Sequence, residues 1–184
     1  MAFARKPVKK APLDEAGLYN YAIKALGRHM RTESELRRLL GSRVAPGAEG
    51  EAQIRTVLGR LRGHGYLDDA SYAEAYARLR QENEKMGARR VRQDLRQKGV
   101  RSELIEKTLA ERYSTTSEEA LARQHLERKG IKKPTNEKET ARVVRRLVAA
   151  GFSTGVIYKI LRQWDVPGEE LAAIDNIDEE AYEN

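Results

Sequence analysis

The sequence predicts an all-α protein, built as three tandem three-helix repeats of helix-turn-helix type in an elongated, curved array. Three observations carry that reading. Apolar residues recur at spacings of three and four almost throughout, and no stretch alternates with period two for long enough to make a strand. The chain also matches itself at a shift of about fifty residues. Ala22 aligns with Ala73 and Ala122; Leu36 and Leu40 align with Val91 and Leu95, then Val143 and Leu147; Ile54 and Leu58 align with Ile105 and Leu109, then Ile157 and Leu161. Third, the chain is 34% charged and only 6% aromatic, which suits thin helical layers with wide solvated faces better than one thick core.

The elements follow in order. Residues 1–17 read as a disordered basic arm, rich in Lys, Arg and Pro. Residues 18–64 form the first repeat. Its second helix opens on a capping box, Thr32 to Glu35, and a loop follows at 45–51. Residues 65–113 form the second repeat. Gly65 supplies the left-handed backbone that ends the preceding helix, and Tyr66 follows it. Leu67 and Tyr72 have staple spacing around an N-cap at Asp68, Asp69 falls in the first turn, and Ala73 takes the repeat position of Ala22. The paired aspartates thus read as helix capping, with a partner contact as the functional alternative. A metal site is disfavoured, since adjacent helical residues point about 100° apart. Gly99 ends the second helix of this repeat in a tight turn, and Gly87 is counted with it as a structural-motif residue. Residues 114–167 form the third repeat, with capping boxes at Thr116 to Glu119 and Asn136 to Glu139. Phe152 and Ile157 have staple spacing around Ser153, and Trp164 lies at the edge of the core. "LVAAGF" here overlies "LRQKGV" of the second repeat. Residues 168–184 form an acidic tail.

Charge points to the partner class. The chain carries +7, yet residues 168–184 hold seven acids and no Lys or Arg, so the first 167 residues carry +14. Such a body attracts polyanions, and the tail could cover its basic face as an electrostatic lid. The densest positive run is the helix over 84–101. Ala88, Val91 and Leu95 make its buried stripe, and Arg89, Arg92 and Arg96 make a second stripe beside it, flanked by Lys85, Arg90, Lys98 and Arg101. Arg90 and Asp94 have the spacing of a helical ion pair. Arg142, Arg145, Arg146, Lys159 and Arg162 form a weaker set in the third repeat. Arginine forks suit phosphates and carboxylates alike, so nucleic acid and an acidic protein face both remain open as ligands. There is no cysteine, His29, His64 and His125 stand apart, and phosphate loops and nucleophile elbows are absent. No catalytic residue, metal or cofactor is expected. No apolar run has the length of a membrane span, so a cytoplasmic protein without membrane contact is expected, and it is expected to act as a monomer.

Two segments carry a resemblance. Gly-Tyr-Leu-Asp-Asp-x-x-Tyr-Ala-x-x-Tyr at 65–76, followed by Gly-x-Arg-Arg-Val-x-x-x-Leu-x-x-Lys-Gly at 87–99, resembles the signature of the bacterial regulatory protein RecX family. The likeness covers residues 18 to 164. It departs at Ala88, where that family commonly has proline, and at Gly27-Arg28-His29-Met30, where the family usually has an Arg-rich stretch. The resemblance implies tandem three-helix repeats without enzymatic activity. It also implies binding to the RecA recombinase filament on single-stranded DNA, with modulation, mainly inhibitory, of ATP hydrolysis, strand exchange and co-protease activity in recombination and repair. Double-stranded DNA is a further candidate ligand. The alternative is a helical repeat protein that binds nucleic acid directly, with no recombinase partner.

Overall fold

The computed structural model describes residues 11–167. Within them lie α1 (Glu15–Leu26), α2 (Glu33–Gly41), α3 (Ala48–Gly63), α4 (Asp69–Glu82), α5 (Ala88–Gln97), α6 (Ser102–Tyr113), α7 (Glu118–Arg128), α8 (Glu137–Ala149) and α9 (Thr154–Gln163), with no strand among the described residues. The start of the basic arm and the whole acidic tail, with the lid expected of it, lie outside the described residues. The chain divides into two compact units. One holds residues 11–72 with Lys98–Val100; the other holds Ala73–Gln97 with residues 101–167.

In the first unit, α1, α2 and α3 pack around Leu18, Ala22, Leu36, Leu40, Ile54, Leu58 and Leu61, the positions that the repeat spacing marks as apolar. Leu67 joins the same core. Residues 13–17, expected to belong to the disordered arm, are ordered. The Leu13 N–H donates to the Arg43 carbonyl at 2.8 Å, and Asp14 caps α1 through the Gly17 N–H at 2.8 Å. The loop over 45–51 is also shorter, because α3 starts at Ala48. Gly50 is the reason it can. A Cβ there would lie 2.1 Å from the Ala45 carbonyl oxygen, so only glycine lets the chain fold back so tightly.

In the second unit, α5 packs on α6, and α7, α8 and α9 enclose a core of Leu121, Leu126, Val144, Leu147, Phe152, Ile157, Ile160 and Leu161. Trp164 packs at the edge of that core, as its position suggests. His125 is a core residue: it is buried, its Nδ1 lies 3.1 Å from the Glu84 carbonyl, and its ring meets Phe152 edge-on. Burial pushes the Tyr113 phenol up to about 12, against the nearby Arg112 charge, and its hydroxyl donates to the Met86 carbonyl at 2.9 Å.

Two expected caps are made differently. Ser117, not Thr116, caps α7 by accepting from the Ala120 N–H. Ser153 has no capping bond of its own. Its N–H and hydroxyl instead donate to the Glu118 carboxylate, at 2.7 and 2.8 Å. A carboxylate from the first turn of α7 thus takes over the start of α9, a contact between distant segments that local capping rules do not foresee. At α8, Asn136 accepts from the Glu139 N–H as expected, but Glu139 reaches back to Thr135 instead of Asn136.

Candidate functional site

The helix α5 exists because of its buried stripe: Val91 and Leu95 are fully buried, and Ala88 is half-buried. Asp94 is buried beside them. Its carboxylate accepts from the Tyr76 hydroxyl at 2.8 Å and pairs with Arg90 at 3.0 Å and Arg80 at 3.6 Å. A buried carboxylate needs such partners, so Arg90 is tied to Asp94, while its partly exposed side chain still lines the cleft beside this helix. The helical period then places Arg89, Arg92 and Arg96 on the opposite flank.

That flank borders a cleft of about 850 Å³ within the second unit. One wall is α5, with Arg89, Arg90, Arg92, Gln93, Arg96 and Gln97. The other is the end of α8 and the turn after it, with Arg145, Val148, Ala149, Gly151 and Phe152. The predicted stripe and one member of the weaker set, Arg145, therefore share a single cavity. Its floor is apolar and its rim carries guanidinium and amide donors. Phe152 is fully buried, so its ring is not presented as a stacking platform.

The rim is not electrostatically uniform. Glu106 of α6 holds Arg92 in a two-point grip, Nε to Oε1 at 2.8 Å and Nη2 to Oε2 at 2.9 Å, and lies 3.8 Å from Arg96. The Arg92 hydrogen bond, aided by the Arg92 and Arg96 charges against slight burial, lowers the Glu106 pKa, so it is ionised at neutral pH. No carboxylate of the described residues pairs with Arg145. Sequence reasoning found the arginines but missed Glu106 and the apolar floor of Val148 and Phe152. Neither signal is local, because both depend on which helices α5 meets.

The other candidates go elsewhere. Arg142 and Arg146 line a separate groove of about 280 Å³ with Lys132 and Lys133. Lys159 is bound to Glu119 at 2.6 Å, and Arg162 is exposed in the last turn of α9. Lys85 lies between α4 and α5 with φ of 54°, and Arg101 is the exposed N-cap residue of α6. Lys98 belongs to the first unit, where it pairs with Glu35 at 3.0 Å and sits 5.8 Å over the Tyr72 ring.

The signature residues at 65–73 are architectural in their contacts. Gly65 has φ of 71°, and the Tyr66 N–H closes the turn on the Leu61 carbonyl. Asp68 caps α4 through the Ala70 and Ser71 N–H groups at 2.9 and 3.2 Å, and the hydrogen bonds from Ser71 lower its pKa. Asp69 goes further than its expected place in the first turn: its Oδ1 accepts from the Glu33 N–H of α2 at 2.8 Å. Tyr72 and Ala73 are buried, and Tyr66 is exposed.

Gly87 and Gly99 take part in two close approaches. In the second unit, the Gly87 N–H donates to the Ala150 carbonyl at 2.9 Å, and a Cβ on Gly87 would lie 2.2 Å from the Gly151 oxygen. In the first unit, a Cβ on Gly99 would lie 2.4 Å from Ser34. Among the described residues, no cluster of His, Asp or Glu is placed to hold a metal, and no helix is long and apolar enough to cross a membrane.

Comparison with known proteins places the chain in a family. The family model for the RecX second three-helix domain matches residues 68–109, which span the capped start of α4 through most of α6. A regulatory protein RecX from Thermus thermophilus is 35% identical over 150 residues, covering 82% of this chain and 92% of its own length. One from Neisseria meningitidis is 32% identical over 152 residues, covering 81% and 95%. Among solved structures, a regulatory protein RecX superposes with a TM-score of 0.62 at 27% identity, over 81% of this chain and 71% of that one. RecX from Lactobacillus salivarius shares the fold, with a TM-score of 0.57 at 21% identity over 82% and 96%. With a curated relative this similar over nearly its whole length, the chain belongs to the RecX family of regulatory proteins.

Proposed function

We propose that this protein binds a RecA filament assembled on single-stranded DNA and restrains it, lowering ATP hydrolysis, strand exchange and co-protease activity. The repeats over 18–64, 65–113 and 114–167 provide the scaffold, and the cleft between α5 and α8 provides the contact. One observation carries the reading: arginines from two separate helices, Arg89, Arg92 and Arg96 with Arg145, border one cavity over an apolar floor. A nucleoprotein filament offers what such a rim attracts, DNA phosphates and acidic protein side chains with aliphatic neighbours. No catalytic step is part of the proposal, and the relatives are named as regulatory proteins.

The test is single-stranded-DNA-dependent ATP hydrolysis by the same organism's recombinase, with this protein titrated far below the recombinase concentration. The wild type should inhibit, and the double variant Arg96→Glu/Arg145→Glu should lose at least tenfold in potency. Arg92 is a poorer choice, because Glu106 holds it through two hydrogen bonds, and replacing it would also deprive that carboxylate of them. Inhibition that sets in only when DNA is saturated with this protein would replace the filament reading with direct DNA binding. Full potency in the double variant would remove the cleft from the contact.

A further inference from the structure

We propose that Glu106 is a built-in competitor for the anion site at Arg92 and Arg96, and so makes the cleft selective for ligands with repeated negative charge. The proposal rests on the reading that this cleft takes polyanions. Its grip on Arg92 uses two carboxylate oxygens on two guanidinium nitrogens, at 2.8 and 2.9 Å. The two free oxygens of a phosphodiester would use the same donors in the same plane. Arg92 is therefore charged but already satisfied, and Arg96 sits within 3.8 Å of the same carboxylate. Glu106 is half-exposed, so nothing in the packing prevents it from swinging away.

Arg145 stands on the opposite wall, outside the reach of that grip. An isolated phosphate or carboxylate meeting the clamped arginines must displace a tethered rival and gains nothing else. A chain of phosphates engages the Arg145 side first. Its next phosphate then competes with Glu106 intramolecularly, at high effective concentration. Removing the rival should strengthen binding and bring more phosphates into the contact.

The experiment uses the full chain and a fluorescent thymidine oligonucleotide, with affinity read by anisotropy over a salt series. Glu106→Gln keeps the size of the side chain and removes the charge. Glu103→Gln, exposed on the same helix, reports the general effect of losing one negative charge. Arg145→Glu reports whether the cleft is the site at all. Glu106→Gln should bind about fivefold more tightly at low salt, the worth of a partly exposed pair. Its plot of log affinity against log salt should steepen by about 0.7 for each phosphate newly engaged. Glu103→Gln should show neither change. If Arg145→Glu weakens binding while Glu106→Gln and Glu103→Gln behave alike, the competitor role fails and the cleft reading stands. If Arg145→Glu changes nothing, the cleft reading fails and the competitor role falls with it. Weaker binding by Glu106→Gln would mean that the carboxylate positions Arg92 for the ligand, the opposite of the proposal.

Discussion

Two glycine-terminated turns do the same job in the two units with different chemistry. In the first unit, the turn at Lys98–Gly99 sits on the first turn of α2. Side chains dominate that contact: the buried Thr32 hydroxyl donates to the Lys98 carbonyl at 2.6 Å, Lys98 pairs with Glu35, and Gly99 faces Ser34. Thr32 and Glu35 also complete a capping box, and Asp69 accepts from the next N–H. In the second unit, the turn at Ala150–Gly151 sits on the start of α5, and the contact is backbone on backbone. Gly87 donates to the Ala150 carbonyl, and a Cβ on Gly151 would lie 2.2 Å from the Arg90 nitrogen. The repeat thus conserves a geometry, not a set of contacts. A side-chain contact can be tuned by charge and by substitution of its neighbour. A backbone contact tolerates neither.

The sharpest way to break the symmetry is Gly87→Ala. Gly87 does not have a positive φ, so the substitution tests close approach alone. The new Cβ would meet the Gly151 carbonyl, which has no rotamer to yield, and the helix start would have to separate from the turn. Overpacking together with the weakened hydrogen bond should cost about 3 kcal/mol. That corresponds to a fall in melting temperature of roughly 6–12 °C for a chain of this size. Thermal unfolding followed by circular dichroism measures it; a fall of about 1 °C or less would mean that the backbone contact is not needed.

Gly99→Ala is the counterpart in the first unit, and its cost should be divisible. Part comes from a φ of 76°, which an L side chain resists by about 1–2 kcal/mol. The rest is overlap with the Ser34 side chain, and Ser34→Gly removes that part. A double-mutant cycle on urea stability should show a coupling of about 1 kcal/mol between the two sites. Strict additivity would show that α2 shifts to accommodate the new methyl group, making the first joint softer than its distances suggest.

Much of this was legible in the sequence, for reasons that can be placed on residues. The nine helices among the described residues follow from apolar spacing, and the buried positions Leu36, Val91 and Val143 are repeat equivalents. Caps set by neighbours within four residues were readable at Thr32, Asp68 and Asn136. What was not readable depends on a partner far along the chain. Asp69 reaches α2, Glu118 takes the start of α9, and Glu106 grips Arg92. In the candidate site, the arginine stripe was visible as a helical period. Its confinement by Glu106, and the removal of Lys98, Lys159 and Arg90 into ion pairs, required knowing which helices meet.

The smallest expected effect separates the two joints by charge. Lys98 is partly buried. That burial opposes its charge, but the hydrogen bonds and charges of Glu35 and Tyr72 outweigh it and raise its pKa. A lysine whose pKa is raised on folding adds stability that is complete below its unfolded value, about 10.4, and is lost as pH climbs through the raised value. Lys98→Met should therefore cost about 0.5–1 kcal/mol at neutral pH, less in high salt, and nothing once pH exceeds the raised value. The joint at Gly87 holds no charge in its backbone contact, so Gly87→Ala should cost the same at low and high salt. Lys98→Met should also leave recombinase inhibition intact, because its ammonium is engaged inside the first unit. A loss of inhibition with unchanged stability would make Lys98 a partner contact after all, and the side-chain contact at this turn would then serve binding as well as packing.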